Sequence, residues 1–161
     1  MAAKPVQDFT TRRQSLRHSA HLAALLCASG FVQFSEVAKA AVNKPAFDTR
    51  SVAEAVKAMG GSALAASNDV LLTAPDIAEN GAVVRLTVGT NLSGVKQLLV
   101  LVEKNPFALV AAFQVTEFIE PQFTLNIKMN ETSDVYVVAL LNNGRALFTK
   151  REVRVTLGGC G

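Results

Sequence analysis

The sequence predicts an all-β fold, an immunoglobulin-like antiparallel β-sandwich of about seven strands with one short N-terminal helix ahead of it. Three observations carry that expectation. From Val70 onward apolar and polar residues alternate with period two, the repeat of strands that bury one face. Turn signals interrupt the alternation at Glu79-Asn-Gly81, Asn91-Leu-Ser-Gly94, Asn105-Pro106, Glu120-Pro121, Asn130 to Asp134 and Asn142-Asn-Gly144. Ahead of Val70 only Thr49 to Met59 has helical spacing. Short strands at regular turn spacing fit two packed sheets, and a small barrel is the alternative.

Taken in order, residues 1–40 read as a cleaved export signal. Thr11-Arg-Arg-Gln-Ser-Leu-Arg17 precedes an apolar stretch from Leu22 to Phe34, shorter than the roughly 20 residues a membrane span needs. Ala38-Lys-Ala40 puts small residues at the −3 and −1 positions, which predicts cleavage between Ala40 and Ala41. Arg12 and Arg13 resemble a twin-arginine export motif, with Ser15 where phenylalanine is common; an ordinary Sec signal is the alternative. Cys27 follows Leu26, whereas a lipoprotein cysteine follows a small residue.

Removing the signal changes what the composition means. The chain carries 16 Lys and Arg against 13 Asp and Glu, a formal net charge of +3. Residues 1–40 supply Lys4, Arg12, Arg13, Arg17 and Lys39 against Asp8 and Glu36, which is the whole excess. Residues 41–161 are therefore balanced, and no nucleic-acid partner is expected. His18, His21 and Cys27 lie in the signal as well, leaving no histidine and the single Cys160 beyond it. Without histidine there is no Ser-His-Asp or Cys-His pair and no ordinary zinc site. Asp69, Asp76, Glu79 and the other acids show no paired spacing that suggests a metal site or acid–base chemistry. An unpaired cysteine in an exported chain implies a partner cysteine elsewhere or a reactive thiol. A self-sufficient enzyme is not expected.

Residues 41–156 make one domain of ordinary size. Ala41 to Asp48 reads as a loose leader. The helix from Thr49 to Met59 sets Val52, Ala55, Val56 and Met59 on one face, capped by Ser51-x-x-Glu54 or by Thr49, and stopped at Gly60-Gly61. Strands are expected at Val70–Thr73, Val83–Val88, Gln97–Glu103, Val110–Phe118, Gln122–Met129, Val135–Leu141 and Arg145–Thr156, the last either whole or broken. Asn143-Gly144 predicts a type I′ hairpin turn. Lys104-Asn-Pro-Phe107 reads as a turn rather than a partner contact, and Phe113, Phe118 and Phe123 as core rather than a ligand face. Lys150, Arg151 and Arg154 read equally as an anion attractor or as a solvated strand face.

Residues 157–161, Leu-Gly-Gly-Cys-Gly, carry the chemistry. A thiolate is the nucleophilic form of cysteine, and Gly158, Gly159 and Gly161 leave the backbone around Cys160 free of Cβ constraints. Five extended residues reach roughly 17 Å. The arrangement predicts a thiol on a short arm, presented to something larger.

Four strings in this order resemble the SoxY family: Ala74-Pro-Asp-Ile-Ala-Glu-Asn-Gly-Ala-Val-Val84, Glu103-Lys-Asn-Pro106, Ile127-Lys-Met-Asn-Glu-Thr-Ser-Asp-Val135 and Lys150 through Gly-Gly-Cys-Gly161. The sequence departs from the family pattern at Arg85, where proline is frequent, after Pro106, where a second proline is missing, and after Cys160, where two glycines are usual. The resemblance implies a periplasmic sulfur-compound carrier of thiosulfate oxidation that binds no cofactor of its own. Sulfur intermediates of S-thiosulfonate and persulfide type would sit covalently on Cys160, with Gly158, Gly159 and Gly161 as the arm. It implies a heterodimer with a SoxZ-like β-sandwich subunit. It implies transient visits to SoxAX, SoxB and a sulfane dehydrogenase or another acceptor.

The competing reading is an exported structural or adhesion sandwich whose cysteine forms an intermolecular disulfide. It accounts for the odd thiol but not for three glycines around it. A peroxidatic or exchange enzyme would want a resolving cysteine or an activating environment on a rigid element, and residues 41–161 show neither. The signal reading is tested directly: replacing Arg12 and Arg13 together by lysine should leave unprocessed precursor in the cytoplasm. Unchanged export of that double variant, followed by immunoblotting of fractions, would identify a Sec signal.

Overall fold

The computed structural model describes residues 43–157. Nine strands form two sheets, with two short helices on the outside of the larger one. The helices are α1 (Lys44–Phe47) and α2 (Val52–Ala58). The strands are β1 (Leu64–Ala66), β2 (Val70–Thr73), β3 (Ile77–Ala78), β4 (Val84–Thr90), β5 (Val95–Val102), β6 (Leu109–Gln114), β7 (Gln122–Ile127), β8 (Ser133–Leu141) and β9 (Ala146–Val155). The larger sheet runs β1-β9-β8-β5-β6, with β3 also on β9; the smaller runs β2-β4-β7. The sheets remain separate layers, an immunoglobulin-like sandwich rather than the barrel alternative.

Two apolar clusters explain the order of layers. Leu98, Val100, Val102, Val135, Val137 and Leu147 of the larger sheet meet Val70, Val84, Leu86, Val88 and Ile127 of the smaller, with almost no exposure. On the opposite face, Leu99, Leu101, Val138, Leu140 and Ala146 pack under Ala46, Val52, Ala55 and Val56 of the helices. β5 and β8 are thus buried on both sides, which is why Leu98-Leu-Val-Leu-Val102 is a continuous apolar run instead of an alternating one.

The expected helix forms with Val52, Ala55 and Val56 buried and Met59 half-buried. Of the two cap candidates Ser51 is the one used: its Oγ accepts from the Glu54 N–H at 3.2 Å. Thr49 instead donates its hydroxyl to the Ala46 carbonyl at 2.7 Å, closing α1. The loose leader expected at Ala41–Asp48 contains that extra helical turn, with Pro45 in its first positions and Ala46 fully buried. Four residues are too few to show a period.

Two strands, β1 and β3, were not anticipated. Both are short and pair in parallel with β9, so neither follows a hairpin signal. β9, for which the sequence allows a whole or a broken strand, is continuous, in unbroken register with β8 from Leu140↔Ala146 to Ser133↔Val153. β6 ends at Gln114 rather than Phe118. Phe113 and Phe123 stack at 4.3 Å across the sheet edges as core residues should, whereas Phe118 sits in the following turn in solvent. The hairpin between β8 and β9 is not type I′, because Asn143 does not take positive φ, which among the described residues falls on glycines alone. Gly144 donates to the Leu141 carbonyl at 2.9 Å and alone takes φ +82°, while Leu141 N–H pairs with the Arg145 carbonyl. This is the three-residue loop, a tight turn followed by a left-handed glycine.

Gly61 lies where α2 hands over to β1. A Cβ there would stand 2.6 Å from Val56 Cγ1 and 2.7 Å from Leu140 Cδ2, both in the outer core. Gly61→Ala should therefore lower stability by about 1–3 kcal/mol through overpacking. Urea unfolding monitored by circular dichroism measures it, and an unchanged midpoint would mean α2 shifts freely on the sheet.

Candidate functional site

Of the residues singled out for function, Arg12, Arg13, Ala40 and Ala41 of the signal lie outside the described residues. So do Gly158, Gly159, Cys160 and Gly161 of the arm. The structure describes the base from which the arm departs.

That base is built around β9. On one edge β9 bonds β8 along its length; on the other it bonds β1 near its start, at Leu64↔Ala146 to Ala66↔Phe148, and β3 at its end, at Ile77↔Arg154 and Ala78↔Val155. Pairing continues past the strand. The Val155 N–H donates to Thr132 Oγ1 at 3.0 Å, and the Thr156 N–H to the Ala78 carbonyl at 3.1 Å. The Thr156 hydroxyl donates to the Glu79 carbonyl at 2.9 Å. Finally the Leu157 carbonyl accepts from the Gly81 N–H at 2.7 Å. The backbone is thus held through Leu157, three residues before Cys160.

The holding segment, residues 74–84, crosses from β2 in the smaller sheet to β9 in the larger. Asn80 Oδ1 accepts from the Ala82 N–H at 2.8 Å, an Asx turn that aims the Gly81 N–H at Leu157. The Gly81 carbonyl meanwhile accepts from the Met129 N–H at 2.7 Å. Residues 128–134 are tied in turn to the turn after β5. Asn105 Nδ2 donates to the Lys128 carbonyl at 2.9 Å, the Asn130 N–H donates to Asn105 Oδ1 at 3.1 Å, and Ser133 Oγ accepts from the Lys104 N–H at 3.0 Å. So Lys104-Asn-Pro-Phe107 is a turn, and the described parts of all four strings that carry the family resemblance meet at this end of the sandwich. Asn80, Gly81, Asn105 and Thr132 are the residues that sequence reasoning missed. They had been legible only as turn formers.

The basic residues beside the arm are each matched by an acid. Lys150 Nζ lies 2.5 Å from Asp134 Oδ2 and 5.3 Å from the Tyr136 ring centre. The Asp134 hydrogen bond, with help from Tyr136, holds the Lys150 ammonium above the ordinary lysine pKa. Arg151 Nη2 lies 2.5 Å from Asp76 Oδ1, and Arg154 Nε lies 3.5 Å from Glu152 Oε1. This fits a solvated, internally paired strand face better than an anion attractor. Among the described residues no group of three or more His, Cys, Asp or Glu side chains is placed to hold a metal, and no helix is long and apolar enough to cross a membrane.

Thr132→Val keeps the shape of the side chain but leaves the Val155 N–H without its acceptor. Exchange of the Val155 to Leu157 amides with deuterium should quicken about tenfold or more, with the β5–β8 amides unchanged. Equal protection in the variant would show that the pairing with β3 alone holds the base.

Residues 55–160 match the family model described as sulfur oxidation protein SoxY. Among solved structures, the sulfur carrier protein SoxY from Chlorobium limicola f thiosulfatophilum is 33% identical, with a TM-score of 0.59. The match covers 65% of this chain and 96% of that one. A superoxide reductase (neelaredoxin) from Ignicoccus hospitalis matches at 14% identity and TM-score 0.49, covering 55% of this chain and 80% of its own. A putative superoxide reductase from Thermotoga maritima matches at 11% identity and TM-score 0.48, covering 57% and 93%. No curated protein sequence matches.

Proposed function

The chain belongs to the SoxY family, and from that premise we propose that it is a sulfur-compound carrier of thiosulfate oxidation whose attachment atom is the Cys160 sulfur. The observation that carries the reading is the family match itself, which runs through Cys160 at its last position. The anchored base supports it: a backbone held through Leu157 gives a thiol three residues further on a defined point of departure.

The chemistry proposed is loading followed by processing. The Cys160 thiolate and the outer sulfur of thiosulfate form a sulfur–sulfur bond. Two electrons leave to a haem-containing coupling enzyme of SoxAX type, and cysteine S-thiosulfonate remains. Water then cleaves the bond to the terminal sulfone group in a SoxB-type hydrolase, releasing sulfate and leaving a persulfide on Cys160. A sulfane dehydrogenase or an acceptor thiol takes the remaining sulfur. A cysteine of ordinary pKa, about 8.5, is only a few per cent thiolate at pH 7, so activation is assigned to the enzyme pockets. The chain itself is a covalent carrier and not a catalyst. A SoxZ-like subunit is its proposed stable partner, and the periplasm, reached through the signal at residues 1–40, its proposed compartment.

Cys160→Ser should abolish the gain in intact mass that thiosulfate and the coupling enzyme give to wild type, with the melting temperature unchanged. A mass gain that persists in the variant would end the carrier reading, and a wild type found only as a disulfide-linked species would favour the structural alternative. Replacing Gly158 and Gly159 together by alanine, which avoids positive φ, keeps the thiol and the chain length. Alkylation by a small reagent should persist there while enzymatic loading falls. Equal loading rates at limiting carrier would show that the glycines have no part in delivery.

A further inference from the structure

Cys160 lies three residues beyond Leu157, whose carbonyl is fixed by Gly81. Three residues span at most about 11 Å even when fully extended. An enzyme that closes a pocket on the Cys160 sulfur must therefore bring its own surface onto the residues that border Leu157. Among them, three apolar side chains are open to solvent: Leu157 is 70% exposed, Val83 61% and Ile77 57%. The backbone sets them together. Ile77 pairs with Arg154 at the end of β9, and Val83 follows by two residues the Gly81 that holds Leu157. Two charge pairs close to the trio are engaged internally, Asp76 with Arg151 and Glu152 with Arg154.

We propose that Ile77, Val83 and Leu157 form a docking collar for the enzymes that act on Cys160, and that its occupant is an apolar rim around the mouth of the pocket that receives the thiol. The inference rests on the carrier reading above. The length of the arm selects this patch over the exposed apolar residues at the far end of the sandwich. Phe118, 88% exposed, and Ile119, 42% exposed, lie beyond β6 at the opposite end of the sandwich. The nine residues of β8 separate the two ends by roughly 30 Å. No pocket that takes Cys160 needs to touch them. Three side chains bury too little surface for a permanent complex. They suit a contact that forms with one enzyme, releases, and forms again with the next, because apolar contact carries no partner-specific charge pattern.

The test uses the full carrier with its partner subunit and the thiosulfate-coupling enzyme, with carrier concentration varied. Ile77→Asp combined with Val83→Asp should raise the KM for carrier about tenfold or more, with kcat near wild type. Alkylation of Cys160 by iodoacetamide and the melting temperature should not change. Leu157→Ser, a milder variant that keeps the backbone bond to Gly81, should shift KM in the same direction. Phe118→Asp should not. An unchanged KM in both collar variants, with wild type loading normally, overturns the collar and leaves the carrier reading intact. Wild type that gains no thiosulfate on Cys160 overturns both. Loss of the partner subunit from the double variant in sedimentation would assign the patch to a subunit interface and likewise overturn the collar.

Discussion

The fixing of β9 on both of its edges is the constraint on which the rest of this structure depends. An edge strand would present unpaired donors and acceptors and would fray toward its end. Here β8 covers one edge, while β1 and β3 share the other. The two parallel additions are short, yet β3 sits at the last two residues of the strand, where fraying would begin. The crossover at residues 74–84 then continues the pairing onto Thr156 and Leu157. A ten-residue strand becomes a rigid post, and the glycines after it begin from a fixed point.

That division has an energetic logic. Ordering a backbone residue costs about 1–2 kcal/mol, and glycine loses more freedom than any other residue. On the proposed carrier reading, an anchoring that stopped earlier would make each enzymatic encounter order the end of β9 as well as the arm. Completing that ordering once, during folding, confines the cost of docking to the few residues that enter a pocket. The hydrogen bonds that accomplish it are backbone bonds or bonds to short polar side chains, Asn80, Asn105 and Thr132. Each contributes only about 1 kcal/mol. Their effect comes from position, since they link residues 74–84, 103–106, 127–135 and the end of β9 into one unit that cannot open at a single point.

Much of this was legible beforehand, and the failures have physical causes. Seven of the strands announced themselves between their turn signals, by alternation where one face meets the inner core and, in β5, as an apolar run buried on both faces. β1 and β3 did not, since Leu64-Ala-Ala66 and Ile77-Ala78 are too short to show a period and pair with a strand some 80 residues away. α1 escaped for the same reason of length. The hairpin turn was misread because Asn-Gly fits two geometries. The choice is set by register: Leu141 opposes Arg145, and that leaves three residues in the loop. For the site, the cysteine and its glycines are visible to any reader. The clamp is not, because Asn80-Gly81 and Asn105-Pro106 look like ordinary turns until their partners are known.

The balance of charge and the lack of histidine in residues 41–161 take on meaning against this architecture. A side chain placed to activate Cys160 permanently would lower its pKa and raise its reactivity toward every oxidant it met. The described base offers no such group: the cations on β9 are held by Asp134, Asp76 and Glu152. On the proposed reading, a carrier that meets several enzymes in turn is better served by a thiol that is slow to react in solution. Its reactivity then becomes a property of each pocket that accepts it. The specificity of the sequence of reactions then belongs to the enzymes, and the carrier contributes what the fold supplies, a fixed origin and a short reach.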